Sequence, residues 1–386
     1  MRRPALALAL LFLPAAPAAA QTRITFIPSV SVAGVYDDNV FARVEGSVGQ
    51  MLQVRPSLET NWESPRVTWL GLYSFDAQRS NFSSLNTLDA RRHLFTDLRF
   101  RRTPMTTFGL TGRYDRSETP GEIDLDTGVL GERRTAERWQ IAPSVVRRFG
   151  PRTSVTAGYD FVTEHLIEDA SGTLHTARLG MARDVSSRTS VTGSYLARYF
   201  LDDLEDHWSQ ALLVGWHREL GPGVRVTAQA GPRATSYRGL APEGAVGYSR
   251  ATPYLRVNLD YWHGETIVLG IRGPVSVDSA TARIAWPITR TLELGIHGGA
   301  SDIETLDRRE ARIYRGTLVG SWTSGGLYTI AASYGVDYQQ GDIRRSLFAG
   351  DHVLRHVFRV SVTVAPRLSR SILPPEEAAR TKGVVR

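Results

Sequence analysis

Tyr328-Thr329-Ile330-Ala331-Ala332-Ser333-Tyr334-Gly335-Val336-Asp337-Tyr338 puts Tyr328, Ile330, Ala332, Tyr334, Val336 and Tyr338 on one face of an extended chain. Thr329, Ser333, Gly335 and Asp337 fall on the other. Successive side chains of a β-strand point to opposite sides, so this stretch predicts a strand with one apolar and one wet face. The beat recurs where Val224, Val226, Ala228 and Ala230 alternate with Arg225, Thr227 and Gln229. Working outward, eighteen such segments are predicted, at 24–36, 49–62, 66–78, 93–101, 106–117, 136–148, 153–164, 174–184, 189–200, 207–219, 224–237, 249–262, 266–272, 280–288, 291–301, 311–323, 327–339 and 352–365.

The connections sort by length. Glu63-Ser64-Pro65, Arg102-Thr103-Pro104, Gly150-Pro151-Arg152, Ser186-Ser187-Arg188, Gly221-Pro222-Gly223, His263-Gly264-Glu265, Thr289-Arg290 and Ser324-Gly325-Gly326 are short and follow every even-numbered segment. Longer ones, such as Asp37 to Val48, Arg79 to Arg92 and Glu118 to Thr135, alternate with them. Uniform alternation with two classes of connection predicts an all-β fold, a transmembrane antiparallel up-and-down β-barrel of about 18 strands, with the short turns and both termini on the periplasmic side of an outer membrane. Six tryptophans (Trp62, Trp69, Trp216, Trp262, Trp286, Trp322) lie near short turns, and Trp139 and Trp208 beside long loops. Indoles gather at membrane interfaces, so these predict aromatic girdles.

The ends fit export. Met1-Arg2-Arg3, the apolar run from Ala5 to Leu13 and Ala18-Ala19-Ala20 read as a signal peptide over residues 1–20, with the mature chain starting at Gln21. No stretch approaches the ~20 apolar residues of a spanning helix. With no cysteine, neither disulfides, thiolate metal sites nor a lipid-modified cysteine support or anchor the fold. The barrel is expected over 21–365 as one unit, and 366–386, containing Pro374-Pro375-Glu376-Glu377, as a disordered periplasmic tail. Phe358 is the last aromatic residue, a departure from barrels that end on one. Net charge is +7, or +5 once Arg2 and Arg3 leave with the signal, and Lys382 is the only lysine. With no basic helix or aromatic-basic cluster, no nucleic-acid partner is expected.

The chain has no G-x-S-x-G elbow, no H-E-x-x-H and no P-loop. Its nine histidines are scattered, and only a cross-strand pair such as Ser361 with His297 would suit a hydrolase. Glu122-Ile123-Asp124-Leu125-Asp126-Thr127-Gly128 begins like a calcium loop but lacks the later ligands, so a solvated loop is expected, with weak divalent bridging to lipopolysaccharide as the alternative. Asp37-Asp38-Asn39 reads as a turn-forming cluster. No enzyme activity, cofactor or metal is expected.

Tyr36-Asp37-Asp38-Asn39-Val40-Phe41, after a first strand of the form V-x-V-x-G-x-Y, resembles the start of a bacterial outer-membrane β-barrel porin family, the second so named. Related barrels are linked to exopolysaccharide secretion. The resemblance implies an outer-membrane channel, with export of a polysaccharide as its specific form and periplasmic polysaccharide-export proteins as partners beside outer-membrane lipid and lipopolysaccharide. A general diffusion porin, a non-conducting structural or adhesin barrel and a surface hydrolase are the rivals. A TonB-dependent receptor is disfavoured because no plug domain fits before the first strand.

The apolar register sets the lipid face, and the inward positions then include Arg55, Arg99, Arg101, Arg113, Arg138, Arg178, Arg198, Arg225, Arg256, Arg272, Arg283, Arg315, Arg355 and Arg359. Against them stand Glu59, Asp76, Asp97, Asp115, Asp160, Asp184, Asp260, Glu293 and Asp337. A charge on the lipid face costs ~2–4 kcal/mol near the midplane, which argues for the lumen. An arginine excess there predicts weak anion selectivity, and pairing of arginine with acid across strands predicts a neutral wall instead.

Overall fold

The computed structural model describes residues 23–118, 123, 127–130, 133–167, 171–202, 205–341 and 352–365. The signal segment and the C-terminal tail lie outside the described residues. The strands are β1 (Arg23–Asp37), β2 (Gly49–Glu63), β3 (Val67–Ser80), β4 (Thr87–Thr103), β5 (Thr106–Ser117) and β6 (Ala136–Arg148). Next come β7 (Thr153–Leu166), β8 (Ser171–Ser186), β9 (Thr189–Asp202), β10 (Asp206–Gly221), β11 (Val224–Thr235) and β12 (Gly239–Ala251). The last are β13 (Arg256–Thr266), β14 (Val275–Pro287), β15 (Leu292–Glu304), β16 (Glu310–Ser324), β17 (Tyr328–Gln340) and β18 (His352–Val364).

Each strand pairs antiparallel with its chain neighbours, and β18 returns to β1 from Val30 opposite Val364 to Asp37 opposite Val357. The sheet therefore closes with eighteen strands and leaves no edge, which is what a β-structure needs where no water can satisfy free backbone groups. The register carries one face right round. Its outer side holds Ile24, Phe26, Val30 and Val32 on β1, Leu212 and Val214 on β10 and Leu318 on β16, all between 43% and 65% exposed. A continuous belt of bare large apolar side chains is stable only against lipid, so the barrel spans a membrane.

Tight turns follow from local chemistry. Between β16 and β17, Gly325 and Gly326 both take positive φ (58° and 70°), the conformation that matches a two-residue turn to the twist of its hairpin. At this turn end Trp62 and Trp69 face each other across the β2–β3 ladder, and the Trp69 indole N–H donates to Thr96 Oγ1 at 2.7 Å. Trp139 lies against Tyr114 toward the other end, their ring centres 4.1 Å apart and their planes tilted by 36°. Trp262 departs from the girdle. The register turns it inward, opposite Ala245, where it packs on a buried apolar cluster.

The structure also corrects the chain between 237 and 280. The segment read as one strand at 249–262 is the end of β12, a turn and most of β13. The turn is Thr252–Leu255, closed by Thr252 N–H to the Leu255 carbonyl at 2.8 Å and by Leu255 N–H to Thr252 Oγ1 at 2.9 Å. His263-Gly264-Glu265 is therefore strand, and 239–248, read as a loop, is most of β12. Its small inward residues (Ala241, Ala245, Gly247) hid the alternation. Residues 266–272, read as a strand, are mainly connection; Ile267-Val268-Leu269 is continuously apolar because it is buried on every side. The connections opposite the turns are not uniformly long: 236–238 suffices between β11 and β12, since the strands continue beyond the apolar belt.

Tyr328 and Val30 each meet Val364, so both ladders of β18 are complete before Pro366. A chain ending at Ala365 is expected to fold and to show the heat-dependent gel mobility of the full-length barrel; loss of assembly would show that the tail takes part in closure.

Candidate functional site

The lumen is lined by charge held in ladders. Arg55, Arg99, Arg101, Arg113, Arg138, Arg178, Arg198, Arg225, Arg256, Arg283, Arg315, Arg355 and Arg359 lie on the face opposite the belt. Arg272 does not line the wall: it is an exposed residue of the β13–β14 connection. Most of the wall arginines have carboxylate partners. Arg55 grips the fully buried Asp76 with two bonds of 2.5 and 2.7 Å, and Arg138 meets Glu164 at 3.1 Å. Arg99 meets Asp97 at 3.1 Å, and Arg225–Glu219 and Arg315–Asp337 stand at 3.5 Å. Arg113 and His93 share Asp115, and Arg256 bonds Glu293. Glu59 accepts from Asn61, and Asp160 from Gln140. Arg178 is exposed and without a carboxylate partner among the described residues.

Several members of this wall were not legible in the alternation. Asp37, Glu164, Glu243, Glu265, Arg91 and Arg233 sit toward the loop ends of their strands, where they are enclosed by one another and by the inward loops rather than sorted between lipid and water. Glu243 receives Arg198 at 2.5 and 2.8 Å and has Arg233 at 3.6 Å; Arg233 also reaches Glu265 at 3.2 Å. Tyr237, in the β11–β12 connection, donates to Glu265. Burial, and then the Glu265 carboxylate, push its phenol well above the ordinary value, so it stays a donor. Asp37 accepts from Nε and Nη2 of Arg355, while Asn39 N–H bonds Asp37 Oδ1 at 3.1 Å and His356 N–H bonds Asp38 Oδ1 at 2.6 Å. The turn-forming cluster is thus also the latch between the first loop and the last strand.

Two connections fold inward at the end opposite the turns. Ile267 packs with Val162, Leu174 and Phe200 of β7, β8 and β9, and Leu269 with Ile123, Ala136 and Leu166. Val268 and Ile271 meet Val129 from the β5–β6 connection, together with Val275, Val277, Ile303 and Ile313. Leu130 reaches Ala42 and Val353, and its N–H bonds Gln339 Oε1 at 2.8 Å. A connection that starts on β13 and touches β7 to β9 has to cross the lumen. Full burial of such side chains is worth about 1.5–3 kcal/mol each, so the described residues of the two connections form an apolar stopper. Gly128 enables the crossing: its φ is +73°, and a Cβ would stand 2.7 Å from Arg315 Nε.

Beside the stopper, Arg91, Arg133, Arg355 and Arg359 surround a cavity of about 70 Å³ with Gln53, Val35, Met51 and Val357. Arg133 belongs to the inward loop and lies 3.4 Å from Glu118; the others come from β4 and β18. Four arginines from wall and stopper thus line one small cavity, with the Arg355 guanidinium held by Asp37 and Arg133 beside Glu118.

Ser361 and His297 are not brought together: β16 and β17 stand between their strands, about 14 Å of sheet. Of the acidic loop only Ile123, Thr127 and Gly128 are described, and its carboxylates lie outside the described residues. No group of three metal-binding side chains occurs among the described residues.

These features define a closed eighteen-stranded transmembrane barrel with a charge-lined lumen and an internal stopper. No protein-family model and no curated protein matches the chain. Among solved structures it is similar to OpdQ of Pseudomonas aeruginosa, at 10% identity over 88% of this chain and 99% of that one, with a TM-score of 0.46. OpdL of the same organism gives 12% identity over 89% and 99%, TM-score 0.46. A mutant of the ferric enterobactin receptor of Pseudomonas aeruginosa gives 9% identity over 88% and 80%, TM-score 0.46.

Proposed function

We propose that this is an outer-membrane channel for small polar solutes with a preference for anions, exported by its N-terminal signal, turn end and both termini in the periplasm. The observation that carries the proposal is the basic track of β4 and its neighbours. Arg101, Arg99, His93 and Arg91 lie along the inner face of β4, with Phe95 and the Asp97 partner of Arg99 between Arg99 and His93. The track runs from the turn end to the four-arginine cavity at the stopper. Fixed cations in a narrow lumen concentrate anions, and the acids paired with them keep the preference weak. The stopper is then the gate. Export of a polysaccharide, the more specific expectation, asks both inward loops to leave the lumen together, so the packing favours small solutes. The same packing favours a second reading, a non-conducting structural or adhesive barrel.

Planar-bilayer recording separates the two. The wild-type protein is expected to show discrete openings whose reversal potential in a salt gradient has anionic sign, reduced by Arg225→Ala and Arg359→Ala. Cation selectivity would overturn the anion preference, and absence of openings would leave the structural barrel.

A further inference from the structure

At the turn end the outer surface carries a groove that transport does not use. It lies between the β4–β5 and β6–β7 turns and has a volume of about 640 Å³, lined by Arg102, Met105, Phe108, Val145, Arg147 and Phe149 among others. Its floor faces lipid. Phe100, Phe108 and Val145 are successive partners across β4, β5 and β6, and the two phenylalanine rings stack 6.5 Å apart. Its upper wall is cationic: Arg147, opposite Thr106 on the same outer face, has its guanidinium 5.1 Å from the centre of the Phe149 ring. Arg102, Arg147 and Arg148 have no carboxylate partner among the described residues, and Phe149 and Met105 are 62% and 49% exposed.

We propose that this groove binds one anionic glycerophospholipid, its phosphate between Arg102 and Arg147 and its acyl chains down the Phe108–Val145 floor. Charge complementarity at a fixed depth favours this occupant. Guanidinium groups at the edge of an apolar belt stand where phosphates of the adjoining leaflet lie, and arginine presents paired donors to a phosphate. The stacked Phe149 ring pre-orients Arg147. The assignment to a glycerophospholipid, rather than to the lipid A phosphates of the opposite leaflet, rests on the turn end being periplasmic, as under the proposed function; it does not depend on conduction.

The test is native mass spectrometry of the full chain in detergent, after equilibration with equal amounts of phosphatidylglycerol, phosphatidylcholine and lipid A. One phosphatidylglycerol is expected to be retained under activation that strips phosphatidylcholine. Retention should fall about tenfold in Arg102→Gln/Arg147→Gln, the loss expected for a charge-assisted contact. Arg290→Gln, an exposed arginine in another turn, should retain it, and heat-dependent gel mobility confirms that each variant is folded. Unchanged retention in the double variant, equal loss in Arg290→Gln or preference for lipid A would each overturn the proposal. A barrel that binds the lipid but never conducts would leave it standing and remove the channel instead.

Discussion

Replacing Val268, Leu269 and Ile271 together by serine is expected to turn a mostly closed barrel into one that stays open, with a several-fold rise in mean conductance in planar bilayers. These side chains are at most 8% exposed and tie the β13–β14 connection to Val129 and Ile123 of the other inward loop and to Leu166 across the lumen. Each loses about 1.5–3 kcal/mol of burial, and each new hydroxyl would enter an apolar cluster with no assured partner. The barrel itself should stand, because the β13–β14 ladder starts outside the connection, at Thr266 opposite Val275. Heat-dependent gel mobility should therefore persist while the stopper loosens. Eighteen strands leave an aqueous channel once nothing fills them. Wild-type conductance in the triple variant would show that the stopper is not what limits passage.

The second large effect concerns stability. Glu243→Ala should lower the free energy of unfolding by about 3–5 kcal/mol, the usual consequence of removing one partner from a buried ion pair. Glu243 is 4% exposed and lies between Arg198 and Arg233, which are themselves 9% and 2% exposed. Removing the carboxylate leaves two guanidinium groups facing each other with only Glu265 to share. Arg178→Ala, at an exposed position of the same wall, should change stability by no more than about 0.5 kcal/mol. The midpoint of urea-induced loss of folded barrel measures both, and equal midpoints for the two variants would mean that the buried network is not a stability element.

The barrel architecture was legible in the residue pattern. Alternation, closure into one unit and the inward direction of thirteen of the fourteen arginines follow from lipid outside and water inside, two solvents that act on every residue of the belt alike. The exception, Arg272, shows where this rule ends. Its neighbours Ile267 to Ile271 are apolar without a period, because they are enclosed by loop and wall on all sides, and an unbroken apolar run does not say whether it is a strand. Trp262 fails for the same reason: an indole near a strand end satisfies an interface or a stopper equally well. The contacts that join distant parts of the chain emerge only in the folded barrel. Asp37 and Arg355 are 318 residues apart and become partners when the last strand meets the first, Arg198 and Glu243 meet across strands, and Arg133 reaches its cavity through an inward loop. Such pairs leave no local periodicity, since each residue is placed by the closing of the whole barrel rather than by the solvent beside its own strand.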